Sequence, residues 1–222
     1  MDHLGHILHE SGSMLTDMNE KRFKFVRESS NIRDTFDFAH PMEVIEATKK
    51  YCCSWYGSNL WDLGSVEAQK VYSSWTTCLK LAWNTPRQTR SYLVQEILAP
   101  DIVPLKVELL LRQRKFFRNL LNSPSPEVVT AALLASRDIR TTLGKNLDLI
   151  SRESGLDSWT SSRAELRKEL LAKTKVSVPE GEMWRLPLLR KLLIRKLELQ
   201  YSCNMEEEVE NLNSQIYSLS MN

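Results

Sequence analysis

Between Ser65 and Pro86 the side chains Tyr72, Trp75, Leu79 and Trp83 return at intervals of three to four residues. That is the period of an α-helix, and it places the four on one face, where rings of this size bury large areas. A strand would need alternation with a period of two, and beyond the first few residues the chain offers little of it. Glycine is scarce, at seven in 222 residues, and most prolines stand where a first helical turn would accept them. The expectation is an all-α, multi-helix bundle with a short strand at the N-terminus.

Local punctuation divides the bundle. His3 to Gly12 reads as the strand running into a turn, and Asp17 suits the N-cap of a helix reaching about Asn31. Pro41 opens a second helix through Tyr56, closed by Gly57. Ser65 caps a third, Val66 to Trp83, which Pro86 ends. Thr89 starts a shorter one to about Ala99. Pro104 opens a long helix through Asn122, with Leu105, Leu109, Phe116 and Leu120 on one side. Ser125 and Pro126 form an N-cap and first-turn pair for a helix through Ala135, and another helix ends at Gly155. Ser161 or Ser162 caps Arg163 to Lys175. Val176 to Gly181 reads as a linker, Trp184 to Leu199 as a helix, and Asn204 as the cap of a final helix whose first turn carries Glu206, Glu207 and Glu208.

Composition narrows the class. A hydrophobic fraction of 42% in 222 residues supports a real core without staples. Cys52, Cys53, Cys78 and Cys203 are too few and too irregular for a disulfide framework, and read as free, mostly buried thiols. The N-terminus has no apolar secretory segment, and no run approaches the roughly 20 apolar residues of a membrane span. The expected setting is intracellular, with nucleus and cytoplasm not distinguished and no membrane partner.

No catalytic pattern stands out. His3, His6 and His9 share a helical spacing, but Gly5 weakens a helix, and in a strand His6 would face away from the other two. No Cys-x-x-Cys pair suggests zinc. His40 precedes Pro41 and lacks the surroundings of a nucleophile's base, and no Gly-x-Ser-x-Gly occurs. There is neither a phosphate-binding glycine loop nor an Asp-Asp pair to clamp two metals, and Asp34, Asp37 and Asp62 read as caps and surface groups. No cofactor is expected.

Charge distribution says more than the net charge of +2. Lys106, Arg112, Arg114, Lys115 and Arg118 fall on the long helix against Glu108, and Arg87 and Arg90 lie shortly before it. Such a face beside Trp83 and Tyr92 could track a phosphate backbone and bind with salt-dependent affinity. The competing reading is a solvated helix face whose long side chains cover apolar surface. A second basic run, Arg185 to Lys196, is expected to pair with the acidic stretch Glu198 to Glu210.

The string Tyr56-Gly-Ser-Asn-Leu-Trp-Asp-Leu63, followed by Tyr72-Ser-Ser-Trp75 and Lys80-Leu-Ala-Trp-Asn-Thr-Pro-Arg87, resembles the segment after the polymerase core in reverse transcriptases of LINE-type (non-LTR) retrotransposons. His3-Leu-Gly-His6 is similar to the strand after the palm, so Leu4 and Gly5 would be primer-grip-like residues. Asn31 to Pro41 resembles the lead into the thumb. Lys115-Phe-Phe-Arg118, Ser136-Arg-Asp-Ile-Arg140 and Leu156-Asp-Ser-Trp159 resemble its continuation, so that the likeness spans most of residues 3 to 160.

The resemblance implies four segments: a palm–thumb junction over 1–39, a thumb-like bundle over 40–122, a helical extension over 123–175, and a linker with C-terminal helices over 176–222. It also implies what is missing. The palm's Tyr/Phe-Ala-Asp-Asp box, the endonuclease domain and the Cys/His knuckle of many relatives are absent from this sequence. The expectation is therefore a non-catalytic fragment, an internal start or the remnant of a decayed element. It would grip an RNA–DNA hybrid or duplex nucleic acid through phosphate contacts, with Arg87, Arg90, Arg112, Arg114, Lys115 and Arg118 as the contacting residues. The alternative is a vestigial helical module that binds a protein partner on its exposed palm-facing surface.

Overall fold

The computed structural model describes residues 2–3, 6–7, 14–36, 39–52, 55–86, 88–91, 94, 102–174, 185–200 and 206–221. Among them the chain is built from nine α-helices: α1 (Leu15–Thr35), α2 (Pro41–Cys52), α3 (Val66–Ala82), α4 (Leu105–Leu121), α5 (Pro126–Arg137), α6 (Thr142–Ser154), α7 (Arg163–Thr174), α8 (Arg185–Gln200) and α9 (Glu206–Met221). The protein is an all-α, multi-helix fold, as its periodicity and scarce glycine predict. At the N-terminus two-residue strands, β1 (Asp2–His3) and β2 (His6–Ile7), pair antiparallel. The expected helix after Thr89, the linker at Val176 to Gly181 and the Asn204 cap fall wholly or mostly outside the described residues.

Two compact units emerge, each assembled from separate stretches of chain. The first comprises Met1–Lys24, Ser54–Ser73 and Val103–Thr174. Its centre is α4, packed against α5, α6, α7 and a short 3₁₀ turn over Ser58–Leu60. Trp61, Leu63, Leu109, Leu110, Phe117, Leu147, Ile150 and Leu166 are fully buried there. The predicted caps hold: Ser125 Oγ accepts from the Val128 amide, and Gly155 closes α6 at φ 74°. Ser162, rather than Ser161, starts α7, in a reciprocal box with Glu165. Long-range polar stitches close the unit. Asn146, itself buried, donates to the Trp61 carbonyl at 2.8 Å and accepts from the Leu63 amide at 2.9 Å.

The second unit comprises Phe25–Cys53, Ser74–Ile102 and Lys175–Asn222. Phe25, Ile45, Trp75, Leu79 and Trp83 are buried in it, and the Phe25 and Trp75 rings lie 6.2 Å apart. Three of the four residues of the α3 stripe are thus core, while Tyr72 is half-buried in the first unit and donates to the Leu63 carbonyl at 2.9 Å. α8 and α9 pack together, with Leu189, Leu193, Leu199, Leu212 and Ile216 buried.

Four local expectations are corrected. α1 starts at Leu15, so Asp17 lies within its first turn and is not its N-cap. α1 runs four residues beyond Asn31, where nothing stops it before Phe36. α2 ends at Cys52, and Gly57, with φ 80°, introduces the 3₁₀ turn instead of closing α2. On α4 the fully buried ring is Phe117, with Phe116 half-buried, because the apolar face is wider than a single stripe and takes in Leu110, Leu111 and Arg114.

Candidate nucleic-acid interface

α4 follows Pro104, its N-cap residue, whose fixed φ of −55° suits a helix entry, and the Leu105, Leu109 and Leu110 side chains anchor it in the first unit's core. That anchoring decides which of its cations reach water. Arg112 is half-buried and its guanidinium meets Glu108 at 2.6 Å, one turn earlier. Lys115 and Arg118 are exposed. Among the described residues neither has a carboxylate partner.

Arg114 is placed differently from the sequence expectation. It is 3% exposed, and its terminal nitrogen donates to the carbonyls of Trp159 at 2.9 Å and Ser161 at 3.1 Å. Burial, together with Arg118 beside it, pulls the guanidinium below the ordinary arginine value, and Asp157 offsets part of this. Burial, more than the two hydrogen bonds from one terminal nitrogen, withholds this guanidinium from a phosphate in solvent. Arg114 is therefore a tie between α4 and the stretch before α7, reinforced by the edge-on contact of Phe117 with Trp159 at 5.0 Å.

The remaining candidates separate by unit. Arg90 is exposed and belongs to the second unit, whereas Lys115 and Arg118 belong to the first. Arg87, Leu4 and Gly5 lie outside the described residues. The expected pairing of the second basic run with the acidic stretch is seen at one place, within α8, and the side chains of Glu206, Glu207 and Glu208 lie outside the described residues. Arg195 pairs with Glu198 on its own helix at 3.4 Å. Arg190 and Lys191 are exposed, with no ion-pair partner among the described residues.

Sequence reasoning placed α7 but passed over its arginines. The Ser162–Glu165 box fixes its register, and Leu166 and Leu170 form its buried stripe. Arg163 and Arg167, four apart, stand above one another on one flank. Glu165 and Glu169, offset by two, lie more than half a turn away. Both arginines are exposed and without a carboxylate partner among the described residues. The signal was present as an i, i+4 arginine pair, but its value depends on α7 packing against α4.

Among the described residues, chemistry-bearing groups elsewhere do not converge. Cys52 and Cys78 are buried, and burial pushes both thiols up to about 11. Among the described residues no three His, Cys, Asp or Glu side chains are grouped to hold a metal ion, and no helix is long and apolar enough to cross a membrane. Comparison of the chain with family models, with curated proteins and with solved structures finds no match.

Proposed function

We propose that this chain is a helical nucleic-acid-binding protein, related to the thumb and C-terminal extension of LINE-type reverse transcriptases, that grips a duplex or RNA–DNA hybrid by its backbone. The likeness of the Tyr56 to Leu63 string and the segments around it supports the family reading. The observation that carries the binding role is the state of the surface cations in the first unit. Lys106, Arg112, Arg140, Lys145 and Arg152 are each matched to a carboxylate within 3.2 Å. Lys115 and Arg118, adjacent on one turn of α4, are not, so their charge is available to phosphates. Contacts of this type carry no base information, so binding would be independent of sequence.

The test is binding of the purified chain to an RNA–DNA hybrid, duplex DNA and single strands across a salt series. Replacing Lys115 and Arg118 by Gln should weaken hybrid binding and reduce the slope of log K against log salt by about 2, since each phosphate neutralised by the protein adds about 0.9 to it. An unchanged slope removes these residues from the interface.

A protein-interaction module is the second reading, and exposed apolar side chains favour it. In the first unit Leu15 is 44% and Phe23 62% exposed, and Leu134 and Ile139 reach 68% and 69%. In the second, Phe36 is 45% exposed. Self-association in sedimentation, or binding of an apolar dye, without salt-dependent nucleic-acid binding would make this the better account.

A further inference from the structure

We infer that Arg163 and Arg167 of α7 extend the phosphate-binding surface of Lys115 and Arg118, so that two helices of the first unit hold one nucleic-acid backbone. This rests on the reading of α4 as a phosphate-contacting helix and goes beyond it by adding a second element.

The tie at Arg114 brings the two helices together. Its guanidinium holds the carbonyls of Trp159 and Ser161, and α7 begins two residues after Ser161. Arg118 follows Arg114 by one turn on α4, so it projects from the flank of α4 that meets this stretch. The Ser162–Glu165 box then sets the start of α7 at Arg163, and with it the direction in which Arg163 and Arg167 project. Arg118, one turn after Arg114, and Arg163, two residues after Ser161, thus each follow directly on one of the two segments that the tie joins.

Charge segregation makes that juxtaposition useful. The acids of α7 are on its other flank, and Glu165 accepts from the Ser162 amide at 2.7 Å, which commits that carboxylate to the helix start. Two like charges at i, i+4 cost helix stability when left alone. An anionic backbone running past α7 would relieve that repulsion. Guanidinium groups suit this ligand because their planar donors meet phosphate oxygens in pairs. An acidic polypeptide would offer similar charge at a less regular spacing, and the test below separates the two.

The experiment measures anisotropy of a fluorescein-labelled RNA–DNA hybrid against the full chain between about 50 and 200 mM salt, the range over which phosphate-based affinity falls steeply. The proteins are wild type, Lys115→Gln/Arg118→Gln, Arg163→Gln/Arg167→Gln and Arg163→Lys/Arg167→Lys, each with its melting curve. The expected result is a slope lowered by about 2 in each Gln pair and restored in the Lys pair, because charge number sets the slope. If the α4 pair lowers the slope and the α7 Gln pair leaves it at the wild-type value, the α7 assignment is wrong and the α4 reading stands. If wild type shows no salt-dependent binding, both fall. Polyglutamate displacing the hybrid at equal charge concentration would overturn the proposal in favour of an acidic protein partner.

Discussion

The Trp61 indole N–H donates a 2.8 Å hydrogen bond to the carboxylate of Asp17, a residue that lies 44 positions earlier and is 1% exposed. Lys21 completes the group: its ammonium lies 3.3 Å from Asp17, donates to the Tyr56 carbonyl and sits 5.7 Å from the Trp61 ring centroid. The tryptophan of the Leu-Trp-Asp-Leu string therefore ties the start of α1 to the 3₁₀ turn. Its own carbonyl in turn receives Asn146 from α6.

Trp61→Phe tests this tie. The phenyl ring keeps most of the apolar burial but has no donor for a buried carboxylate. Loss of a hydrogen bond to a charged acceptor should cost ~2 kcal/mol, read as a lower urea midpoint with an unchanged m-value. A midpoint within error of wild type would mean that Asp17 finds water or another donor at no cost.

Gly144 marks a tight joint in the first unit. A Cβ there would stand 2.2 Å from the Asp138 carbonyl oxygen and 3.0 Å from that of Ala135, both backbone atoms at the α5–α6 turn. Thr141 Oγ1 donates toward the same two carbonyls, at 2.8 and 2.6 Å, and accepts from the Gly144 amide at 3.0 Å. Ala is otherwise the better helix former by about 1 kcal/mol. Here Gly144→Ala should instead destabilise by about 1–3 kcal/mol, the usual range for overpacking, because backbone has to move. A melting temperature raised by the substitution would show that the turn can shift freely.

Arg114 and its neighbour Lys115 should behave as opposites. Arg114→Ala leaves two carbonyls without their charged donor and should cost ~3 kcal/mol. Lys115→Ala, at an exposed position, should stay within ~0.5 kcal/mol of wild type. In binding the order reverses: the salt slope should fall by about 0.9 for Lys115→Ala. A folded Arg114→Ala protein whose stability is unchanged would return Arg114 to the surface.

That contrast shows where sequence reasoning stops. Some helix boundaries were legible because caps are local: Ser125 with Pro126 and Gly155 act within a few residues of their partners. The α3 stripe was legible because burial follows the helical period, and Trp75, Leu79 and Trp83 obey it. The division of the basic face was not. Whether an arginine on α4 meets water or a carbonyl depends on Trp159 and Ser161, 45 and 47 residues away. The Asp17–Trp61 and Asn146–Trp61 bonds were hidden for the same reason, as was the value of Arg163 and Arg167, which comes from the fold carrying α7 to α4.

The buried thiols of the second unit predict a pH dependence of known sign. Burial raises Cys78 from 9.0 to about 11, with the hydroxyls of Thr48 and Ser29 pulling it part of the way back. Burial and Glu28 raise Cys52 by a similar amount. Between pH 9 and 11 the folded chain keeps protons on these thiols that the unfolded chain has released. The unfolded state therefore binds fewer protons, and stability falls as pH rises through that window. Below pH 9 the contribution is complete. Lys80 and Lys196, both pulled down by burial, act with the opposite sign, so wild type alone would mix the effects. Comparison with Cys52→Ala/Cys78→Ala removes them. The double variant should start lower at about pH 8, from poorer packing, yet fall less steeply than wild type through the window in urea titrations. Ellman's reagent should also label Cys78 at about pH 8 far more slowly in the native protein than in urea, because the thiolate is the reacting species. Parallel pH curves for the two proteins would mean that the thiols ionise equally in both states and are not sealed in the core.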